Sequence, residues 1–185
     1  MRPQSHQGRP EIRTYLSIRL ALAFLFLLAG ALPAGQASGA SGTPCTFEFD
    51  VVASPGLTTS PSSGTLTTNG ETGTITCTGK LGGYEVTGPG TIGGEGRYGT
   101  RDPDTCSGGE AEGTHFISIP TSGGIQHIRN DHFATYGPLK GDGPYGGEFR
   151  GPRFSGTFQA RPVEGDCVSA PLTKAHFAIK GTMQG

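Results

Sequence analysis

The stretch TITCTGKLGGYEVTGPGTIGGEGRYGTRDPDTCSGGEAEG, residues 74–113, decides the fold of this 185-residue chain. It holds two of the four cysteines, Cys77 and Cys106, and the densest run of glycines. Short segments rich in Thr, Ile, Tyr and Val alternate with turns that contain Gly or Pro, which is typical of β-strands with tight connections. The stretch therefore predicts consecutive short strands that bend at glycine.

The same pattern continues on both sides of this stretch. Apolar and acidic residues alternate in TFEFDVVA (residues 46–53), and TKAHFAIKGTM near the C-terminus alternates in the same way. We expect hairpin turns at Asn69-Gly70 and at Asn130-Asp131. The prediction is a single all-β domain, an antiparallel β-barrel or β-sandwich of about eight to ten short strands. A barrel is favoured because glycines inside strands suit the coiling that closure requires.

The N-terminus has the order of a secretory signal peptide. Four arginines precede an apolar run at residues 20–32, and a tract of small residues follows it. The run is shorter than the roughly 20 residues that a membrane-spanning helix needs. We expect residues 1–40 to be a signal peptide cleaved near 37–40, residues 41–185 to form one domain, and the product to be secreted or held in the cell envelope without a stable membrane anchor.

The charge of the mature part argues against nucleic-acid partners. Removal of residues 1–40 takes four of the 14 basic residues and one of the 15 acidic ones, which leaves a formal charge of about −4. A mildly acidic domain without a cluster of Lys or Arg lacks the positive surface that phosphate binding requires.

All four cysteines lie in the predicted exported part. An even number in an oxidising compartment indicates two disulfides, for which three connectivities are possible. We favour Cys45 with Cys77, at neighbouring strand ends, and Cys106 with Cys167, because the acidic turns DPDTC and EGDC suit each other as neighbours. No metal-ligand spacing such as CxxC or HxxxH is present.

Two motif classes carry weak signals. Three GxGxxG matches, at residues 88–93, 94–99 and 141–146, lack the following helix that a nucleotide site needs, so no cofactor is predicted. The acidic loop offers four oxygen ligands for calcium but departs from the calcium-loop pattern, and we interpret it as a turn with self-bonded carboxylates. The four residues are Asp102, Asp104, Glu110 and Glu112.

A ligand pocket is the remaining candidate site. If the strands enclose a lumen, we expect Phe116, Phe149, Phe158 and Tyr98 to line it, and His115 or Glu112 to orient the ligand. His115 also has the alternative interpretation of a core histidine bonded to the backbone. His127 and His132 are expected on opposite faces of a strand.

Four segments carry a resemblance to a family. TCTG, GPGTIGGEGRYGTRDPDTCSGGEAEGT, FSGTF and VEGDC resemble a family of small secreted β proteins of unknown function from actinobacteria, over residues 77–182. The resemblance implies export, a compact β fold and paired cysteines, and it brings no catalytic residues.

Three functions follow as hypotheses. The first is a non-enzymatic binding protein or an extracellular interaction protein. The second is a carrier or enzyme for a small apolar ligand held in the interior. The third is an inhibitor of extracellular proteases that presents Arg101 on the loop at residues 98–104.

Overall fold

A computed structural model describes residues 42–68, 73–138 and 145–185. The predicted signal peptide, the turn at residues 69–70 and most of the GxGxxG match at residues 141–146 lie outside this part of the chain. The described residues contain no helix long and apolar enough to cross a membrane.

The described chain is all β. Its eleven strands are β1 (Thr43–Leu57), β2 (Gly64–Thr67), β3 (Gly73–Cys77), β4 (Lys80–Leu81), β5 (Tyr84–Glu85), β6 (Gly90–Tyr98), β7 (Gly109–Thr121), β8 (Gly124–Pro138), β9 (Tyr145–Arg150), β10 (Phe154–Glu164) and β11 (Leu172–Met183). β4 and β5 pair as a small separate ribbon, and the other nine strands form one antiparallel sheet. The prediction of an antiparallel all-β domain is confirmed.

The two ends of the sheet pair with each other. β1 pairs with β11 over ten consecutive residues, from Thr43↔Met183 to Val52↔Lys174. β2 and β3 follow one another between β1 and β6 and pair with both, so that the nine strands make a ring of eight positions. The hairpin predicted around residues 69–70 is wrong, because β2 and β3 are both antiparallel to β1 and therefore run in the same direction.

Alternation of side chains sets the inside of the ring. In β1, Cys45, Phe47 and Phe49 are buried, as the sequence pattern predicts for one face of a strand. In β11 the same alternation buries Ala175 and Ile179. The apolar face of each strand thus lines one interior.

Side chains fill one half of this interior. Phe47 and Phe154 stack with their ring centroids 4.3 Å apart, and neither side chain is exposed. Around them lie other fully buried apolar residues: Ile75, Ile92, Ile117 and Met183. The Cys45–Cys77 disulfide joins β1 to β3 at this end. We call this half of the ring the filled half.

The turn predicted at Asn130-Asp131 is wrong. β8 runs without interruption through these residues and pairs with β7 from Thr121↔Gly124 to Gly109↔Tyr136. Asn130 is fully buried, and its side-chain oxygen accepts hydrogen bonds from the backbone N–H groups of Arg153 and Phe154, at 3.0 Å each. These tertiary bonds replace the local ones that make Asn common in turns.

Candidate functional site

The other half of the ring encloses a cavity of about 130 Å³. Its lining is almost entirely apolar and comes from most strands of the ring. The principal lining side chains are Phe49, Val51, Leu66, Tyr98, His115, His132, Tyr136, Tyr145, Phe149, Phe158, Leu172, Phe177 and Ile179. The cavity is therefore a small, mainly apolar space inside the ring that is partly open to solvent.

Small residues at inward positions create this space. Gly94 and Gly96 of β6 and Ala111, Ala134 and Ala160 of the strands around the ring border the cavity. A Cβ atom at Gly96 would lie 2.5 Å from the Glu112 backbone oxygen, so no larger residue fits there without a backbone shift. The cavity thus depends on small residues, because a larger side chain at any of the three alanine positions would occupy part of it.

Two stacked histidines lie at the cavity wall. The rings of His115 on β7 and His132 on β8 have centroids 4.0 Å apart and an interplanar angle of 12°. The edge of the Phe149 ring meets both imidazoles, and Phe49 meets His115. Aromatic packing on several sides holds these rings in place.

The imidazoles are unpartnered polar groups. The Nδ1 atoms of His115 and His132 are buried and have no hydrogen-bond partner among the described residues. The backbone of Asn130 interacts with the His132 imidazole and raises its pKa, whereas no such interaction from the described backbone acts on His115. The expectation that His115 is hydrogen-bonded to backbone is therefore wrong for its Nδ1 atom. A buried polar atom without a partner is uncommon in native proteins and points to a ligand or a functional role.

Both imidazoles are neutral at neutral pH. Burial, reinforced by the neighbouring His132, lowers the pKa of His115 to about 3. Burial also lowers the pKa of His132, against smaller opposing effects of a hydrogen bond with the Asn130 backbone and of the Asp131 charge. The apolar surroundings disfavour the charged form of each ring.

Of the three tyrosines that border the cavity, Tyr98 and Tyr136 have hydroxyls that are already bonded. Tyr98 donates to the backbone oxygen of Pro55 at 2.6 Å, and Tyr136 donates to Oδ2 of Asp104 at 2.9 Å. Burial, together with the Asp104 carboxylate, raises the pKa of Tyr136 far above its usual value. These hydroxyls hold the wall together and are not available to a ligand without loss of a bond.

The second disulfide braces the loops at the cavity end of the ring. Cys106 and Cys167 are bonded, with Cα atoms 6.0 Å apart, and Cys106 also borders the cavity. The backbone N–H of Cys106 donates to the oxygen of Thr58. Both disulfides have the connectivity that the sequence favoured, and the two acidic turns do meet.

Four of the six predicted pocket residues come together in the structure. His115, Tyr98, Phe149 and Phe158 are buried and line the cavity. Phe116 does not, because it follows His115 directly in a strand and therefore lies on the outer face, with 49% of its surface exposed.

Glu112 borders the cavity, but its side chain does not point into it. It lies three positions before His115 in β7, so its side chain is on the outer face and exposed, and only its backbone can approach the interior. Of the two residues predicted to orient a ligand, only His115 has its side chain on the inner face.

Sequence reasoning missed several lining residues, above all His132. The predicted turn at residues 130–131 hid the alternation Ile128, Asn130, His132, Ala134, which places all four on the inner face of β8. Strict alternation through one long strand would have placed His132 on the same face of the sheet as His115. His127, by contrast, faces outward, where its Nδ1 atom lies 2.9 Å from the Ser118 hydroxyl.

The acidic loop is a structural turn in its described geometry. Asp104 is buried, and its Oδ2 accepts from the Glu110 backbone N–H and from Tyr136. Glu110 lies 3.7 Å from Arg101, and Asp102 is exposed. No three His, Cys, Asp or Glu side chains in residues 42–68, 73–138 and 145–185 converge as a metal site.

Arg101 lies along the protein surface. Its guanidinium carbon lies 4.9 Å from the centroid of the Phe133 ring, and its Nη1 is 3.7 Å from Glu110. Tyr98, the first residue of the loop proposed to present Arg101, is buried. This arrangement does not favour a protruding inhibitory loop.

Comparison with known proteins gives no further guidance to function. No protein-family model, no curated protein and no solved structure matches this chain. The resemblance to small secreted actinobacterial proteins thus stays a prediction. Function has to be argued from the site itself.

Proposed function

We propose that this protein binds a small, mainly apolar molecule inside a closed β-barrel formed by the ring of strands. The observation that carries the proposal is the 130 Å³ cavity, with its apolar lining and two unpartnered imidazoles. Of the functions expected from the sequence, a small-ligand binder or carrier accounts for both features. A solid interior would have removed this hypothesis.

The volume limits the size of the enclosed ligand. An apolar cavity of about 150 Å³ in another protein holds benzene. A space of about 130 Å³ is slightly smaller, so the part of a ligand that it holds is limited to about the size of a six-membered ring. A longer molecule would extend toward the loops that the Cys106–Cys167 disulfide braces.

The proposal includes export from the cell. Two disulfides are consistent with an extracellular protein, because reducing compartments keep thiols free. The order of charges, apolar run and small residues in residues 1–40 supports a cleaved signal peptide. Recovery of the mature chain, starting near residue 38–41, from the medium or envelope would test this part.

Titration of the oxidised protein with benzene tests the binding proposal. We expect saturable shifts in the amide resonances of lining residues such as Ala134 and Ile179, recorded by ¹⁵N-¹H NMR. Ala134→Leu fills the cavity and should abolish these shifts. Ala178→Leu is the matched control, because Ala178 is exposed on the outer face of β11.

Cavity filling should not unfold the protein. Substitutions that fill a cavity commonly stabilise a protein by about 0.5–2 kcal/mol. Ala160→Leu, at another lining position, provides a second variant if Ala134→Leu is overpacked. Absence of saturable shifts in the unmodified protein would refute interior binding. So would benzene-induced shifts in both cavity-filled variants that equal those of the unmodified protein.

A further inference from the structure

We infer that the ligand of this interior site is a neutral molecule with a hydroxyl group, an alcohol or a phenol, and that His115 and His132 bind that hydroxyl. This inference rests on the proposed function, because it names the chemical class that the cavity selects. Three features of the site carry it: the distribution of hydrogen-bond partners, the neutrality of the lining and the fixed position of the rings.

The imidazoles offer the buried polar atoms of the lining that are left for a ligand to bind. Tyr145 also borders the cavity but is only partly buried. The hydroxyls of Tyr98 and Tyr136 already donate hydrogen bonds to Pro55 and Asp104. Thr68 bonds the Gly94 backbone through its hydroxyl, both as a donor and as an acceptor. Among the described lining residues, the buried polar atoms without a partner belong to His115 and His132.

A hydroxyl suits a neutral imidazole in either tautomer. A neutral ring carries one N–H donor and one bare nitrogen acceptor, and which nitrogen holds the proton is set by its surroundings. A hydroxyl both donates and accepts, so it can bond whichever nitrogen faces it. A ketone or an ether accepts only and would leave the acceptor nitrogen unsatisfied.

The lining disfavours charged ligands. No Lys or Arg side chain borders the cavity in the part of the chain that the structure describes. The two carboxylates nearest to it, Glu95 and Glu112, lie on the outer face and are exposed. A buried carboxylate or ammonium would therefore have no counter-charge, and desolvation without pairing strongly opposes its binding.

The rings are held in place before a ligand arrives. Phe149 contacts both imidazoles edge-on, with centroids 6.2 Å from His115 and 6.1 Å from His132. A ligand hydroxyl therefore meets a preorganised partner and does not have to order it. Such a site discriminates by the presence of the hydroxyl as well as by shape.

The test compares three probes that share one aromatic ring and differ in its substituent: benzene, phenol and benzoate. Dissociation constants are measured at pH 7.5 on the oxidised protein by NMR titration. We expect phenol to bind roughly tenfold more tightly than benzene, as one net hydrogen bond implies, and benzoate to bind more weakly than benzene. His115→Phe and His132→Phe should each reduce the preference for phenol, with benzene binding retained.

His127→Phe is the matched control, because His127 lies on the outer face of the same strand as His132. It should leave the preference for phenol unchanged. His115→Leu serves as a second variant if a phenylalanine at position 115 prevents folding, because leucine also lacks a hydrogen-bonding group. The comparison of probes on the unmodified protein needs no variant at all.

The outcomes separate the two proposals. Equal affinity for benzene and phenol overturns the hydroxyl inference and leaves interior binding of apolar molecules standing. Benzoate binding as tight as that of phenol overturns the neutral-ligand inference. Failure of all three probes to bind overturns the proposed function itself.

Discussion

Replacement of Asn130 by Ala should destabilise the protein strongly, although the residue lies outside the cavity. The Asn130 oxygen accepts hydrogen bonds from the backbone N–H groups of Arg153 and Phe154. Leaving a buried donor without a partner costs about 1–3 kcal/mol. The Phe154 amide is buried and the Arg153 amide partly so, which gives a total loss of about 2–4 kcal/mol for the two bonds.

Urea unfolding of the oxidised protein measures this loss. Near-ultraviolet circular dichroism of the tyrosines follows the transition, since the chain contains no Trp. The melting temperature should fall by roughly 5–15 °C, at about 2–4 °C per kcal/mol for a domain near this size. Thr135→Val is the control, because Thr135 is exposed on the outer face of the same strand.

A small effect would contradict the reasoning. If Asn130→Ala lowers the free energy of unfolding by no more than Thr135→Val does, the two amides do not depend on the Asn130 side chain. The turn at residues 151–153 would then be held by other contacts, such as the bond between Ser155 and Gly151.

Three further predictions concern the interior and its bracing. The folded pKa of His115 is about 3 against an ordinary 6.5, so the unfolded chain alone binds a proton between these values, and stability should fall with decreasing pH by up to about 1.4 kcal/mol per unit. His115→Phe should flatten that slope between pH 6.5 and 4.5 in urea titrations, and His127→Phe should not; an unchanged slope in the first variant contradicts the burial argument. Removal of the Cys106–Cys167 disulfide, which spans 61 residues, should lower the free energy of unfolding by about 4 kcal/mol by loop entropy, and an unshifted urea midpoint of the double Ser variant would argue against this. Phe47→Ala should cost about 3–5 kcal/mol by the same assay, because Phe47 is fully buried; a loss below 1 kcal/mol would show that the filled half collapses around the missing ring.

Alternation predicted most of the fold. Phe47 and Phe49 in β1, Ile117 and Ile119 in β7, and Ile179 in β11 are buried as the period of two requires. The pairing of the cysteines also followed from the positions of strand ends and acidic turns. These features depend on neighbouring residues in the chain, so the sequence pattern indicates them directly.

The errors arose where distant contacts override local preference. Asn130 and Asp131 have the residue types of a turn, yet the amides of Arg153 and Phe154, 23 and 24 residues away, hold Asn130 inside a strand. No local signal reports such a bond. The incorrect prediction of a turn then concealed the inward position of His132, which stacks on His115.

The misplacement of Phe116 has a different cause. The sequence analysis predicts Phe116 in the lumen, although the alternation that buries His115 places the next side chain, Phe116, on the outer face. On the outer face, Phe116 lies beneath the guanidinium of Arg129, 6.0 Å from its ring centroid. Consistent use of the strand period would have corrected this prediction, and Glu112 with it.

In the proposed binding role, the division of the interior would allow one ligand to be exchanged for another without a change in the fold. The Phe47–Phe154 stack and the Cys45–Cys77 bridge lie in the filled half, so the rigidity that they provide does not depend on what occupies the other half. Phe177 borders the cavity and is only partly buried. Replacement of this one side chain by a shorter one would enlarge the cavity and leave the filled half unchanged.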